Sequence, residues 1–241
     1  GMDSNEACLQ CHESMRDNLS EHTHHTGNST GSSCYNCHMP HTTYGLLKGI
    51  RSHQIDAPSI KVNLETGRPN ACNLCHLDQT IEWSADYLEK WYGQPKPALN
   101  LENRSIAASV LWLLKGDAGL RALTAWHYGW KDAQEASGVS WQVPILARLL
   151  EDPYSAVRFI TARSLRSYTG LEDLDFDFLD EASSWKTSVE KALVAWETTQ
   201  KAQNKILEPQ RVLFKSSTEF DEQLIRAMLS KRVNRSMDLQ E

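Results

Sequence analysis

The sequence predicts a mainly α-helical protein, in which a loop-rich N-terminal part precedes an all-helical C-terminal part. Two observations lead to this prediction. The first 80 residues or so are rich in His, Ser, Thr, Asn and Gly and show little apolar periodicity, whereas apolar residues recur at helical spacing through the rest of the chain. All six cysteines lie within the first 76 residues. We therefore expect the core of the N-terminal part to come from bound groups rather than from aliphatic side chains.

Three copies of one motif use all the cysteines. Each copy reads Cys-x-x-Cys-His, and the copies occupy Cys8–His12, Cys34–His38 and Cys72–His76. This spacing lets two thiols bond to one haem and puts the next histidine beneath its iron. The motifs therefore predict three haem c groups. Their thioether ligands would be Cys8, Cys11, Cys34, Cys37, Cys72 and Cys75, and their proximal iron ligands would be His12, His38 and His76.

Two other roles are compatible with paired cysteines. Six cysteines in an exported protein can form three disulfides, and Cys-x-x-Cys is also half of a zinc site. Neither role explains a histidine after every second cysteine, and each zinc ion would need two half-sites. We therefore favour haem over both alternatives.

The opposite face of each iron needs a ligand, and the same segment supplies further histidines: His22, His24, His25, His41 and His53. This density predicts bis-His ligation for most of the haems. We expect His53 to be a distal ligand because it stands alone on a flexible stretch. His22 and His25 are three residues apart and share one face of a helical turn, so they could serve two adjacent haems or one haem and a hydrogen bond.

The remaining candidates rank lower as iron ligands. His24 would point away from the face of its two neighbours, and His41 would support a ligand or bind a different iron. Met15 and Met39 offer sulfur, which would raise the potential of a haem. His127 is the only histidine of the helical part and is expected in the core or on the surface.

A helix is predicted where the polar N-terminal sequence gives way to apolar residues at helical spacing. Trp83, Tyr87, Leu88 and Trp91 recur at helical spacing, and the Gly- and Pro-containing stretch 93–97 follows them. We place the domain boundary in this stretch. The prediction is a triheme cytochrome c domain over residues 1–95, wrapped around its haems, and a HEAT-like helical domain over residues 96–241.

Further helices are predicted by later apolar stripes. These stripes are Ile106 to Leu114, Leu120 to Trp126, Trp185 to Trp196 and Phe220 to Leu229. Between them, an apolar helix starting at Val143 is expected to end at Asp152. Pro153 suits the first turn of a following helix that carries Val157, Ile160, Ala162 and Leu165. The pattern Leu-Leu-x-Asp-Pro-x-x-x-Val-Arg resembles a HEAT-type repeat, which is a helix pair that stacks on its neighbours.

The haem segment as a whole resembles a known family. Its features are Ser33-Cys34-Tyr-Asn-Cys37-His38-Met39-Pro40, the short loop with Arg51-Ser52-His53, and Pro69-Asn70-Ala71-Cys72-Asn-Leu-Cys75-His76. They are similar to bacterial multihaem c-type cytochromes in which a helical HEAT-like or tetratricopeptide-like region follows the haems. The resemblance covers residues 5 to 95. It implies periplasmic electron carriage by bis-His haems, with His22, His25 and His53 as the matching distal positions.

Three functions follow from these motifs. The first is electron transfer through three haems, with the helical domain docking a redox partner or a membrane electron-transfer complex. The second is a small enzyme with one open haem that reduces nitrite, hydroxylamine or peroxide, because Cys-His-Met-Pro also occurs in multihaem nitrite and hydroxylamine enzymes. No Cys-x-x-Cys-Lys motif of such nitrite reductases is present. The third is a protein-binding module that the haems stabilise. Electron transfer is preferred because histidine is abundant and no separate catalytic constellation is visible.

The net charge and the chemistry of the motifs limit which partners and which location we expect. The formal net charge is −6, and the basic residues form no stripe for a phosphate backbone, so we expect no nucleic acid partner. The haem propionates would add about three negative charges, which favours a redox partner with a basic face. Covalent haem attachment implies a periplasmic or other extracytoplasmic location. Gly1-Met2 is typical of a cloning remnant, so we expect that a signal peptide or anchor has been removed.

Overall fold

A computed structural model describes residues 4–199, 208–216 and 219–235 of the chain. The protein is mainly helical, which confirms the predicted fold class, and its few strands are short. Within the described ranges, none of the helices combines the length and apolar character that a membrane span needs.

The N-terminal part consists of short helices joined by loops. Its α-helices are α1 (Glu6–Leu9), α2 (Leu19–Thr23), α3 (Cys34–His38), α4 (Ile60–Thr66) and α5 (Ala71–Cys75), and single 3-10 turns cover Glu13–Met15 and Thr30–Ser32. A hairpin that the sequence did not predict, β1 (Thr43–Gly45) and β2 (Lys48–Ile50), follows α3. Its turn holds Leu46 and Leu47 at positive φ, a conformation that sequence patterns do not predict for leucine.

The helix predicted around Trp83 to Trp91 is confirmed as α6 (Ile81–Tyr92). Its start is fixed by the side chain of Thr80, which accepts a hydrogen bond from the backbone N–H of Trp83 at 3.0 Å. Its end is fixed by Gly93, whose φ of 66° lies in the left-handed region that glycine adopts without steric cost. Both ends therefore follow from local sequence.

The remaining elements are also helical for the most part. They are α7 (Leu101–Ser105), α8 (Ala108–Lys115), α9 (Ala118–Tyr128), α10 (Lys131–Ser137), α11 (Gln142–Ala147), α12 (Ser155–Leu165), α13 (Ala182–Thr199) and α14 (Glu222–Leu229), with 3-10 turns at Arg148–Glu151 and Pro209–Val212. The prediction that Phe220 belongs to the last helix is wrong. It lies in β4 (Glu219–Phe220), which pairs with β3 (Phe214–Ser216), because Asp221 caps α14 and the helix starts at Glu222.

The helix pair predicted around Asp152 is present with one correction. α11 and a 3-10 turn end at Asp152 as expected, but α12 begins at Ser155, so Pro153 precedes the helix instead of opening it. The Asp152 carboxylate accepts hydrogen bonds from the Arg121 side chain at 2.8 and 2.9 Å, and it also accepts one from the backbone N–H of Tyr154, which forms a turn before the helix.

Apolar residues on both sides of residue 95 share two cores. The smaller core joins α5 and α6 to Ala108 and Trp112 on α8, and the larger core, built mainly from α8, α9, α11, α12 and α13, includes Leu77. The hairpin β1–β2 lies on α9, where Gly49 approaches the ring of Trp126 so closely that a Cβ at this position would lie 2.7 Å from it. The segments that follow the second Cys-x-x-Cys-His motif, and the third motif itself, are therefore anchored on the helical part.

Candidate functional site

Each of the three motifs lies on or next to a short helix, which brings its cysteine pair to one side. Cys34, Cys37, Cys72 and Cys75 are on α3 and α5, whereas Cys8 is on α1 and Cys11 follows that helix. All six thiols are free, so the disulfide interpretation finds no support in the structure. Short helices suit this arrangement, because residues three apart on one turn face the same way.

Two of the three proximal histidines face a second histidine. The ring of His38 is nearly parallel to that of His22, with centroids 6.2 Å apart and planes 9° apart. The ring of His76 faces that of His25, with centroids 6.0 Å apart and planes 25° apart. His22, which the sequence predicts as a distal ligand, thus lies beside the second motif, and His25 lies beside the third.

The separation within each pair fits an iron atom between the rings. A metal–imidazole nitrogen bond is about 2 Å long and the ring centre lies about 1.1 Å farther out, so two axial imidazoles have centroids about 6 Å apart. Rings in direct contact are closer, as are His24 and Trp91 at 4.1 Å. The centroid separations of both pairs are therefore compatible with a metal bound between the two rings.

Backbone carbonyls orient one ring of each pair. Nδ1 of His38 lies 2.7 Å from the carbonyl oxygen of Asp56, and Nδ1 of His25 lies 2.6 Å from that of Thr23. Only a protonated Nδ1 can donate to a carbonyl, so Nε2 carries the lone pair that a metal requires. The carbonyls thus select the tautomer that binds iron through Nε2.

Desolvation favours the neutral form of one ring in each pair. It lowers the pKa of His76 to about 4, with a smaller contribution from His25. Desolvation also lowers the pKa of His22, and the charges of His38 and His24 add to this effect. Neutral imidazole is the form that binds a metal, so the surroundings of His76 and His22 favour this form.

The thiols of neighbouring motifs lie close together in a desolvated setting. Burial raises the pKa of Cys72 and Cys75 to about 12, and the nearby Cys37 contributes to both shifts. Burial also raises the pKa of Cys34, and a hydrogen bond with Cys8 adds to it. The first motif therefore adjoins the second, and the second adjoins the third.

The His25 ring lies over the backbone of Gly31. A Cβ built on Gly31 would be 2.3 Å from Cδ2 and 2.5 Å from Cγ of His25. Real Cβ atoms do not approach a ring this closely, so any other residue at position 31 would displace the imidazole. Gly31 therefore belongs to the support of the third motif.

The N-terminal end of α6 contributes an aromatic wall beside the third motif. The indole of Trp83 lies 4.9 Å from the His76 ring, measured between centroids. Tyr87 and Trp91 continue the wall at intervals of 4.8 and 4.4 Å. These residues follow each other at intervals of four and so lie on one face of the helix, half-buried, where a flat apolar group can lie against them.

The first motif and His53 are arranged differently. His12 and His53 are both exposed, and neither ring faces another aromatic ring in the described part of the chain. Met15 is half-buried on the 3-10 turn after His12, and Met39 is half-buried next to the second motif. The structure therefore pairs neither His12 nor His53 with another ring, and the prediction that His53 is a distal ligand stays a prediction.

A third pair of histidines has a different environment. The rings of His41 and His127 are 6.3 Å apart, but their planes are 72° apart and both contact the indole of Trp130. Nε2 of His127 lies 2.9 Å from the carbonyl oxygen of His41, and Nδ1 of His41 lies 3.3 Å from that of Gly49. These contacts attach the haem segment to α9, so His41 supports the fold.

Some of these supports carry no signal in the sequence. The Asp56 and Thr23 carbonyls are backbone groups, and the pairing of each distal histidine depends on loop geometry. In the sequence, Gly31 is one glycine of a polar loop. The aromatic residues of α6 recur every four residues, but a stripe of this kind is also expected in a hydrophobic core.

Within residues 4–199, 208–216 and 219–235, no three His, Cys, Asp or Glu side chains converge as they would around a bare metal ion. Among the described residues, His22 meets His38, His25 meets His76, and His41 meets His127. Comparison with protein-family models, with curated proteins and with solved structures gives no match for this chain.

Proposed function

We propose that this chain is an extracytoplasmic electron-transfer protein that carries three covalently attached haem c groups. The observation that carries the proposal is the facing of His22 with His38 and of His25 with His76, at separations of 6.2 and 6.0 Å. Each pair combines a motif histidine with one from a separate helix or turn. Such pairing is what two ligands of one haem iron would require.

The proposed arrangement gives each part of the chain a role. Residues 1–95 would form the triheme domain, and residues 96–241 the HEAT-like domain that docks a redox partner with a basic face. When bound, each haem supplies a one-electron iron couple. The motif cysteines would hold the haems, the carbonyls of Thr23 and Asp56 would orient His25 and His38, and the aromatic face of α6 would lie beside the third site. One electron would enter from a donor protein and leave to an acceptor, with no bond made or broken.

The proposed location and partners follow from the same chemistry. Thioether attachment implies export to the periplasm or another extracytoplasmic compartment. The acidic residues near the first motif, among them Glu13, Asp17 and Glu21, are exposed and fit a basic partner. Nucleic acid is not proposed as a partner.

The test is a visible spectrum of the chain matured with a haem-attachment system, together with its intact mass. We expect a mass increase of three haems, sharp reduced bands, and no change in at least two of the three haems when carbon monoxide is added. An intact mass without haem would overturn the proposal. So would carbon monoxide binding to all three haems, because the second and third would then lack distal histidines.

A second candidate is a small multihaem redox enzyme that reduces nitrite, hydroxylamine or peroxide. It is favoured by one observation: His12 is exposed and faces no second histidine ring among the described residues. This candidate requires that one third of the haem binds carbon monoxide and that a substrate reoxidises the reduced protein. Carbon monoxide binding to none of the haems would exclude it.

A further inference from the structure

The chain turns sharply between the two distal histidines. His24 ends α2 with φ of 55° and ψ of 27°, in the left-handed region. Residues other than glycine rarely adopt this conformation, because their Cβ crowds the following carbonyl oxygen. The turn lets His22 face the second motif while His25 faces the third. A contact from outside the turn would therefore stabilise this conformation.

The C-terminal end of α6 provides this contact. The indole of Trp91 stacks on the ring of His24, with centroids 4.1 Å apart and planes 17° apart. The next residue holds the other side of the turn: the hydroxyl of Tyr92 donates a hydrogen bond to the carbonyl oxygen of His22 at 2.6 Å. Two adjacent residues of one helix thus contact the segment that carries both proposed distal ligands.

The same helix also reaches the proximal side of the third site. Trp91 is backed by Tyr87, and Tyr87 by Trp83, which lies against His76. Trp83 and Trp91 are two turns apart, about 12 Å along the helix axis. One rigid element therefore sets the position of the motif histidine at one end and of the distal turn at the other.

We propose that Trp91 is a positioning residue that, by stacking on His24, holds the left-handed turn and so directs His22 and His25 to two different irons. This inference rests on the proposed haem-binding function. The inference goes beyond that function because it names a residue that contacts no proposed haem ligand directly and acts through His24.

The sharpest test compares two substitutions of His24, which is exposed and whose replacement leaves the core intact. His24→Ala removes the stacked ring but keeps a Cβ, so the left-handed turn loses its support. His24→Gly also removes the ring, but glycine adopts the left-handed region freely and the turn no longer needs the stacking contact. The readout is the rate at which cyanide replaces a distal histidine in the ferric protein, because this rate follows the time that the ligand spends off the iron.

We expect His24→Ala to speed cyanide replacement by about 5- to 30-fold at one or more haems, and His24→Gly to stay close to the unsubstituted protein. Trp91→Leu should behave like His24→Ala, and Trp91→Phe, which retains a stacking ring, like His24→Gly. The double variant Trp91→Leu with His24→Gly should return to the unsubstituted rate. Trp185→Leu on α13 is the control for loss of an indole elsewhere.

The intact mass of every variant separates the inference from the function on which it rests. If the unsubstituted protein carries no haem, both fail together. If it carries haem and His24→Ala or Trp91→Leu exchanges at the unsubstituted rate, only the inference is overturned. It is also overturned if His24→Gly does not rescue Trp91→Leu, because Trp91 would then act by packing alone.

Discussion

Single residues decide whether the third site can be formed, and Gly31 is the clearest case. The His25 imidazole lies where a side chain at position 31 would be. The identity of this glycine therefore matters as much as that of the histidine. A substitution here tests the site without removing any ligand.

Gly31→Ala should displace the His25 ring and convert one low-spin haem into a high-spin, ligand-accessible one. The physical reason is a Cβ that would stand 2.3 Å from the ring. Electron paramagnetic resonance of the ferric protein measures the high-spin fraction. Gly27→Ala is the matched control in the same loop, since its Cβ would meet only the Ser20 hydroxyl at 3.2 Å, and that hydroxyl can rotate away. An unchanged spectrum for Gly31→Ala would contradict the assignment of His25.

His127 makes stability depend on pH. Desolvation lowers the pKa of this buried ring to about 3, although its hydrogen bond to the His41 carbonyl opposes the shift. Above pH of about 6.5 the ring is neutral in the folded and the unfolded chain, so it contributes no pH dependence. As the pH falls towards about 3, only the unfolded chain takes up the proton, and the free energy of unfolding decreases by up to about 1.4 kcal/mol per pH unit.

His127→Gln keeps a donor for the His41 carbonyl and removes the titration. Its free energy of unfolding should therefore fall less steeply than that of the unsubstituted protein between pH 6.5 and about 4.5. Denaturant titrations at several pH values measure this difference. His41, whose pKa burial lowers to about 4, titrates in the same direction but is present in both proteins. Equal slopes in the two proteins would mean that His127 is protonated in the folded state.

At the scale of elements, α6 connects the haem segment with the helical part. It packs on α4, α5 and α7, and its residues Ile81, Ala85 and Leu88 share a core with α8. Its opposite face is the aromatic wall. Any change that frays its first turn should therefore disturb both the core and the position of Trp83.

Thr80→Ala removes the cap of α6 and should lower the free energy of unfolding by about 1 kcal/mol. The lost contact is the hydrogen bond from the backbone N–H of Trp83 to the Thr80 side chain. Chemical denaturation provides the measurement. Thr80→Ser keeps the hydroxyl and is the control; if it destabilises as much as Thr80→Ala, the methyl group rather than the cap accounts for the loss.

The sequence predicts elements well where local chemistry sets them. Thr80 and Gly93 bound α6, and the Asp152 region gives a helix pair, as expected from their side chains. It predicts the site only in part. The motifs and the histidines are visible, but the pairing of His22 with His38 and of His25 with His76 depends on a left-handed turn at His24, for which the sequence has no signal.

At the scale of the whole molecule, a buried ion pair ties distant segments together. Arg121 on α9 and Asp152 before α12 are almost completely buried, with 1% and 0% of their side chains exposed. Arg232 joins them at 3.1 Å, and Arg121 also donates to the carbonyl oxygen of Val233. The carboxylate thus holds α9, α12 and the segment after α14 in one arrangement.

Asp152→Asn should lower the free energy of unfolding by about 3–5 kcal/mol, because two guanidinium groups would lose their counter-charge in the interior. Thermal and denaturant unfolding measure the effect. The exposed pair Lys131–Glu135 is the matched control, and Glu135→Gln should change stability by no more than about 0.5 kcal/mol. Similar decreases in the free energy of unfolding of the two variants would show that the buried ion pair contributes no more to stability than the exposed one.

The closeness of His22 and His25 in the sequence has a consequence for damage. The two proposed distal ligands lie on one short stretch of chain, which the side chains of Trp91 and Tyr92 contact from one side. If both bind iron as proposed, a single proteolytic cut between residues 19 and 25, or oxidation of the indole that supports the turn, would loosen two irons in one event. The proposed electron transfer would then be lost abruptly rather than one centre at a time.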